Sequence, residues 1–170
     1  DEMILLFSSF GKVYRIKVDI IKQCGPKEKG VAVGALLNLE PRERILSVFS
    51  MNIDEKHPYI TGVTKNGMIK KADKTIFIGS TQNKNGLKAA GLNEDDVYLD
   101  FWETNGDYIT LITEQKMAIQ FTLDEVRPTG KTSKGVIAIK LAENDFIRQV
   151  SITPQINKKV IVQHRAGKGS

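Results

Sequence analysis

The strongest constraint on the fold of this chain is a unit of about 50 residues that recurs along it. One marker of the unit is a tight turn between two apolar runs, which lies at Gly11, at Gly67 and at Lys116. These turn positions are separated by 56 and then by 49 residues. A fourth copy is predicted to begin within VIVQHRAGKGS, where Gly167 falls 51 residues past Lys116.

A second marker keeps the same spacing. A glycine that follows a basic loop and precedes an apolar residue lies at Gly30, Gly86 and Gly135, again 56 and 49 residues apart. Two independent markers rarely share one spacing by chance. A period near 50 residues with several short strands is typical of propeller blades. The predicted fold is therefore all-β, a propeller-like partial array of about three repeats with four-stranded blades.

Strand patterns dominate the whole chain. Alternating apolar residues are separated by Gly, Pro, Asn and Asp turns, and no long stretch has a 3.6-residue apolar period. Asn66-Gly67 is the strongest hairpin signal, because both residues tolerate positive φ. Further strands are expected at 31–39 and 136–141. We predict one repeat domain over residues 1–170, with units at approximately 1–55, 56–106 and 107–156 and the start of a fourth at 157–170.

The residue types exclude several kinds of site. His57, His164 and the single Cys24 are too few and too scattered to build a zinc site by Cys and His spacing. Segments 25–30 and 130–135 match G-x-x-x-x-G, but valine follows each where a phosphate-binding loop needs Lys-Ser or Lys-Thr. No catalytic, cofactor-binding or metal-binding residue is therefore predicted. One cysteine also indicates a reducing cytoplasm, and no apolar run approaches the ~20 residues of a membrane span.

Positive charge recurs at matched places in successive units. The formal net charge is +5 and the pI about 9.2, a mild bias toward polyanion partners. The same loop carries Lys27 and Lys29, then Lys84, then Arg127, Lys131 and Lys134, and the strand after the hairpin turn carries Lys12, Arg15 and Lys17, then Lys70 and Lys71. Aligned blades would join these charges into a stripe that binds phosphates with little sequence preference. The alternative is that basic loops only keep an edge-rich β protein soluble.

Three segments resemble a known repeat, namely VTKNGMIKKAD, NKNGLKAAGLNEDD and ITEQKMAIQFTLDEVRPTGKTSKGVIAIKLAENDF. They are similar to the repeat of the C-terminal domain of the bacterial DNA gyrase A protein, and the resemblance covers essentially the whole chain. It implies a β-pinwheel, in which four-stranded blades exchange a strand with their neighbours. It also implies that double-stranded DNA wraps around a basic outer rim and is presented to the cleavage core, so that strand passage introduces negative supercoils.

The resemblance places the DNA-binding residues on that rim: Lys12, Arg15, Lys27, Lys29, Lys65, Lys70, Lys71, Lys84, Arg127, Lys131, Lys134 and Arg165. The implied partners are double-stranded DNA, the rest of the gyrase A protein and the gyrase B protein of the parent heterotetramer. The parent would be a type IIA DNA topoisomerase of the bacterial cytoplasm, associated with the nucleoid, and ATP and magnesium would be used elsewhere in it. This segment is expected to be non-catalytic, with its four tyrosines as packing residues.

Two departures keep other interpretations open. The family's Gln-Arg-Arg-Gly-Gly-Lys-Gly box is absent, and about three units are too few for a complete disc, so we expect a piece of a longer protein. The second interpretation is the related domain of topoisomerase IV, which orients DNA rather than wrapping it with fixed handedness. The third is a β-propeller protein-interaction module, which predicts an apolar or mixed-charge rim and weak salt dependence.

Overall fold

A computed structural model describes residues 2–19 and 33–155 of the chain. Within these ranges eleven strands alternate with turns: β1 Met3–Ser8, β2 Lys12–Lys17, β3 Ile45–Ser50, β4 Tyr59–Thr64, β5 Met68–Asp73, β6 Asn83–Lys88, β7 Tyr98–Thr104, β8 Tyr108–Thr113, β9 Ala118–Thr122, β10 Val136–Ile137 and β11 Ile147–Thr153. Three short 3-10 turns lie at Val33–Leu36, Lys74–Phe77 and Leu123–Glu125. The all-β prediction is confirmed. The predicted fourth unit, with Arg165, lies outside the described residues.

The strands form three antiparallel sheets, which we call blades 1, 2 and 3. Their strand orders are β3-β1-β2-β6, β10-β5-β4-β7 and β11-β8-β9. Blade 1 therefore takes β6 from the second unit, and blade 2 takes β10 from the third. We call β2 and β5 the acceptor strands, and we call the pairs β2–β6 and β5–β10 the exchange pairs. The strand exchange implied by the resemblance is thus present at both described junctions.

The hairpin turns repeat in atomic detail. The backbone φ is 74° at Gly11, 90° at Gly67 and 69° at Lys116, so each turn uses the left-handed region. In every unit the hydroxyl that ends the first strand accepts a hydrogen bond from the amide after the turn: Ser8 from Lys12 (3.3 Å), Thr64 from Met68 (3.0 Å) and Thr113 from Met117 (3.1 Å). The turn marker in the sequence therefore reflects one local geometry that all three units share.

The blades pack through apolar faces. Between blades 1 and 2 the core is aromatic, with the Phe7 ring centre 5.0 Å from that of Phe101 and 5.2 Å from that of Phe77. Between blades 2 and 3 the core is aliphatic and includes Val63 and Leu111. Full burial of one such side chain contributes about 1.5–3 kcal/mol, so these two clusters hold the array together.

Two strand predictions were wrong in their extent. Residues 33–36 form a 3-10 turn rather than a strand, closed by the Leu37 amide on the Gly34 carbonyl at 3.3 Å. β10 is only two residues long, because the amides of Ala138 and Ile139 both turn to the Gly67 carbonyl, at 2.8 and 3.4 Å. The chain therefore wraps around the hairpin turn of the previous unit instead of extending the ladder.

Candidate nucleic-acid interface

Residues 127–134, which we call the basic loop, cross from the third unit onto blade 2. The loop is fixed on the acceptor strand β5 by a parallel bridge between Pro128 and Lys71 and by the Thr129 amide, which donates to the Lys71 carbonyl at 2.8 Å. Its far end is held by the Gly91 amide on the Ser133 carbonyl, also at 2.8 Å. These backbone bonds make the loop part of the blade surface.

The basic loop exposes three cations. Arg127, Lys131 and Lys134 are all exposed. In the described part of the chain none of the three lies within 4.0 Å of a carboxylate oxygen. Gly130 lies between them with open space around its Cα. Three unpaired cations within eight residues create a local positive potential, which favours a polyanion.

The exchange pair of blade 1 forms a second basic surface. Lys12 on β2 lies directly opposite Lys88 on β6, and Lys84 on β6 is exposed. Lys12 also forms an ion pair with Glu40 at 2.6 Å, which neutralises part of this charge. Lys88 was not among the predicted site residues. The strand register, which places Lys88 opposite Lys12, shows that Lys88 belongs to this surface. In the sequence, the position of Lys88 two residues after the repeated glycine Gly86 was an available signal.

Lys65 lies at the hairpin end of blade 2. Its side chain is exposed, and its ammonium nitrogen lies 4.9 Å from the centre of the Phe146 ring. Such a cation–π contact contributes about 0.5–1 kcal/mol at an exposed site and leaves most of the ammonium open to a ligand.

The predicted rim location is wrong for Lys70 and Lys71. Only 2% of Lys70 and 5% of Lys71 is exposed to solvent, because the third unit covers Lys70 with the basic loop and Lys71 with the turn at Leu123. The Lys70 ammonium donates to the Gly130 carbonyl and, at 3.3 Å, to the Thr129 hydroxyl. Burial lowers the pKa of Lys70 to about 8. Both ammonium groups bond to the third unit instead of lying on the exposed surface that they were predicted to form.

Lys71 is engaged by other groups of the third unit. Its ammonium donates to the Leu123 carbonyl at 2.8 Å and lies 4.5 Å from the centre of the Tyr59 ring. Burial lowers the pKa of Lys71, although the Asp124 carboxylate nearby acts in the opposite direction.

Arg15 occupies the corresponding position in blade 1. It is half-buried, and its guanidinium donates to the Phe77 carbonyl at 3.4 Å. Its Nε is buried without a hydrogen-bond partner among the described residues. Arg15 therefore combines a contact inside the protein with a partly open side chain. Lys27 and Lys29 lie outside the described residues, as does Arg165.

The tyrosines that reach the core are packing residues, as predicted. Tyr14 and Tyr98 are buried, and their hydroxyls donate to Glu43 at 2.7 Å and to the Gly91 carbonyl at 3.0 Å. Residues 2–19 and 33–155 contain no cluster of three or more His, Cys, Asp or Glu side chains suited to a metal ion. No helix in the same ranges has the length and apolar character needed to cross a bilayer.

Comparison with known proteins gives one consistent result. The profile of the family described as "DNA gyrase C-terminal domain, beta-propeller" matches residues 2–52 and 107–154. The DNA gyrase A protein of Clostridium acetobutylicum is 36% identical over 136 residues, which are 78% of this chain and 16% of that protein. The DNA gyrase A protein of Helicobacter pylori J99 is 28% identical over 170 residues, which are 99% of this chain and 20% of that protein. The chain thus spans about a fifth of the length of these relatives.

Solved structures share the fold. The C-terminal domain of DNA topoisomerase IV superposes with a TM-score of 0.77 at 26% identity, covering 89% of this chain and 47% of that structure. The C-terminal domain of DNA gyrase A superposes with a TM-score of 0.63 at 24% identity and the same coverage.

Proposed function

Since this chain belongs to the family of DNA gyrase C-terminal β-propeller domains, we propose that it binds double-stranded DNA without sequence preference and bends it along its basic surface. The observation that supports this most directly is the basic loop, where Arg127, Lys131 and Lys134 stand exposed without a carboxylate partner among the described residues. A protein-interaction module is expected to show an apolar or mixed-charge surface instead.

The mechanism is electrostatic. Each ammonium or guanidinium group that replaces counterions at a phosphate releases them, and the logarithm of the binding constant then falls by about 0.9 per contact for each tenfold rise in salt. Bending a site of ~20–30 base pairs costs roughly 1–6 kcal/mol, which phosphate contacts on consecutive blades can offset. In this proposal the segment itself breaks no DNA and binds no cofactor.

We further propose that the segment acts as one part of a gyrase A protein. Its similarity to about a fifth of two such proteins supports this assignment. The rest of the gyrase A protein and the gyrase B protein would then supply DNA cleavage and ATP hydrolysis with magnesium. The bent DNA held by this segment would enter strand passage with one handedness, which yields negative supercoils in the cytoplasmic, nucleoid-associated enzyme.

The test is a binding titration with a random-sequence duplex of about 40 base pairs, from about 50 to 200 mM salt. We expect affinity to fall steeply with salt and to be similar for unrelated sequences. Replacing Arg127, Lys131 and Lys134 by alanine should lower the salt slope by about 2.7, since each phosphate contact contributes about 0.9.

The matched control replaces Lys56 and Arg148, two exposed cations outside the basic loop, by alanine. For each charge removed, the salt slope of this control variant should change much less than that of the variant with alanine at Arg127, Lys131 and Lys134. Equal changes in the two variants would contradict the assignment to the basic loop. Salt-independent binding, or no binding at about 50 mM salt, would contradict the proposed function and favour a protein-interaction module.

Orientation of DNA in a topoisomerase IV is the second candidate. The higher TM-score with the topoisomerase IV domain, 0.77 against 0.63, favours it, whereas the sequence relatives favour gyrase. Relaxing a closed circular plasmid with a type I topoisomerase in the presence of the protein distinguishes the two. Wrapping with fixed handedness shifts the linking number of the product, while orientation alone leaves it unchanged.

A further inference from the structure

We propose that Lys71, Lys70 and Arg15 are positioning residues that fix each blade to the next unit and thereby set the curvature of bound DNA, and that Lys70 and Lys71 do so without touching phosphate. This proposal rests on the proposed function, because curvature is defined only for DNA that the protein binds. It reverses the role that the sequence predicts for these three side chains.

The first step is a contact that recurs at both described junctions. Arg15 and Lys71 each lie four residues after the hairpin glycine of their unit, on the acceptor strand. Each donates to a backbone carbonyl in the 3-10 turn of the following unit, Arg15 to Phe77 at 3.4 Å and Lys71 to Leu123 at 2.8 Å. The same position in two units therefore makes the same kind of link across the junction.

The second step is that blade 2 carries an additional link. Lys70 donates to the Gly130 carbonyl and the Thr129 hydroxyl of the basic loop, so two neighbouring amines hold the third unit at two places. The matching residue of blade 1 is Tyr14, whose hydroxyl donates to Glu43 of its own unit at 2.7 Å. At these two positions the acceptor strand of blade 2 therefore makes one side-chain link more to the next unit than that of blade 1 does.

The third step is energetic. A lysine that binds phosphate needs an exposed ammonium, yet Lys70 and Lys71 are 2% and 5% exposed and their donors already meet protein acceptors. Releasing either amine to DNA would break these bonds, which hold the basic loop through Lys70 and the turn at Leu123 through Lys71. Burial of a charged group is costly unless it is hydrogen-bonded, and here the bonds link two units. Such bonds stabilise the junction, and the exposed cations of the loop remain free for phosphate.

The experiment separates the number of phosphate contacts from the shape of the complex. The full chain is titrated with a duplex of about 40 base pairs labelled at both ends, so that the salt slope gives the contacts and energy transfer gives the bend. For Lys71→Met we expect a change of less than about 0.3 in the salt slope, together with a clearly different end-to-end distance. For Lys131→Ala we expect the slope to fall by about 0.9 while the bend of the bound DNA is retained.

The conservative variant Lys71→Arg should restore the wild-type bend, since arginine keeps a donor for the Leu123 carbonyl. A fall of about 0.9 in the slope for Lys71→Met would show a phosphate contact and overturn the proposal. An unchanged slope with an unchanged bend would overturn it as well, because no positioning role would remain. Arg15→Gln at the other junction repeats the test if Lys71→Met does not fold.

Failure of the proposed function gives a different result. In that case the wild-type chain itself shows no salt-dependent binding, whatever the variants do. The DNA part of the proposal then fails with it. Hydrogen exchange on the free protein still tests the link itself: the Val126 amide, bonded to the same Leu123 carbonyl that the Lys71 ammonium holds, should lose at least tenfold protection in Lys71→Met and keep it in Lys131→Ala.

Discussion

The exchange pairs of blades 1 and 2 have the same topology but place their charge differently. In blade 1, Lys12 faces Lys88 across β2 and β6, so the pair itself is basic. In blade 2, Met68 faces Ile137 across β5 and β10, so the pair is apolar and Ile137 is 68% exposed. The charge of the second junction lies instead on the basic loop that precedes the donated strand.

The difference shows that matched positions in a repeat need not share an environment. The residue four positions after the hairpin glycine is half-buried in blade 1, where it is Arg15. In blade 2 the corresponding residue is Lys71, which is only 5% exposed. The cause is the following unit, whose turn at Leu123 lies against the Lys71 ammonium. The exposure of a basic residue on an acceptor strand therefore depends on what the next unit places above it.

The largest expected contrast concerns Gly86, which lies within the donated strand β6, and Gly135, which directly precedes the donated strand β10. Gly86 and Gly135 both have φ of 79°, which is unfavourable for alanine. A Cβ at Gly135 would overlap the Ile69 carbonyl oxygen of the backbone, whereas one at Gly86 would meet side-chain atoms, those of the Tyr14 ring, at 2.7 Å. We expect Gly135→Ala to lower the free energy of unfolding by about 3–4 kcal/mol and Gly86→Ala by about 1–2 kcal/mol in urea titrations. Equal losses would contradict the difference between the two junctions.

The next contrast is the pH dependence of stability at Lys70. Burial lowers its pKa to about 8 from an ordinary 10.5, so between these values the unfolded chain holds a proton that the folded chain has released. The free energy of unfolding must then rise with pH in this window, by at most about 1.4 kcal/mol per pH unit. We expect wild type to gain stability relative to Lys70→Met between pH 8 and 10.5 in urea titrations. A constant difference would show that the Lys70 pKa is ordinary.

Tyr14, the matching residue of blade 1, should behave in the opposite sense. Burial and the hydrogen bond to Glu43 raise the pKa of its hydroxyl, so the unfolded chain loses this proton first and stability falls as pH rises above 10. At pH 7 we expect Tyr14→Phe to lower the free energy of unfolding by about 1–2 kcal/mol, because buried Glu43 loses a donor. The variant should also lack part of the alkaline loss, which urea titrations at pH 7 and pH 11 would reveal.

The smallest effect is expected when residues are swapped between the exchange pairs of blades 1 and 2. Ile137→Lys gives blade 2 the cation that blade 1 has at Lys88, and Lys88→Ile does the reverse. If both positions face DNA, the first change should raise the salt slope by about 0.9 and the second should lower it by about 0.9. Over a fourfold change of salt this corresponds to about a threefold change in relative affinity. A response in only one of the two would show that the DNA follows only one exchange pair.

Local features of the fold were predictable because they depend on neighbouring residues. Asn66-Gly67 fixes a hairpin by backbone freedom alone, and β4 and β5 flank it as that signal predicts. The length of the donated strands was harder to predict. β10 is short because the amides of Ala138 and Ile139 bond to the Gly67 carbonyl of another unit. No pattern within the third unit contains that contact.

The residues of the candidate interface also divide into those that local sequence predicts and those that depend on distant contacts. The exposure of Arg127, Lys131 and Lys134 follows from their place in a polar, glycine-punctuated loop. The burial of Lys70 does not, because its cover comes from residues about 60 positions later. Lys88 was missed for a related reason, since only the register with Lys12 brings it to the surface of blade 1. Long-range pairing, rather than residue type, decides these cases.

Strand exchange also determines when a blade can be finished during synthesis. Blade 1 needs β6, which ends at Lys88, about 70 residues after the end of β2 at Lys17. At about 5–20 residues per second the ribosome needs roughly 4–14 seconds to supply that strand. For this interval β2 keeps an unpaired edge on the nascent chain, which is a ready template for pairing with a neighbouring copy. A chaperone that covers such edges would act on every unit in turn, one unit behind the ribosome.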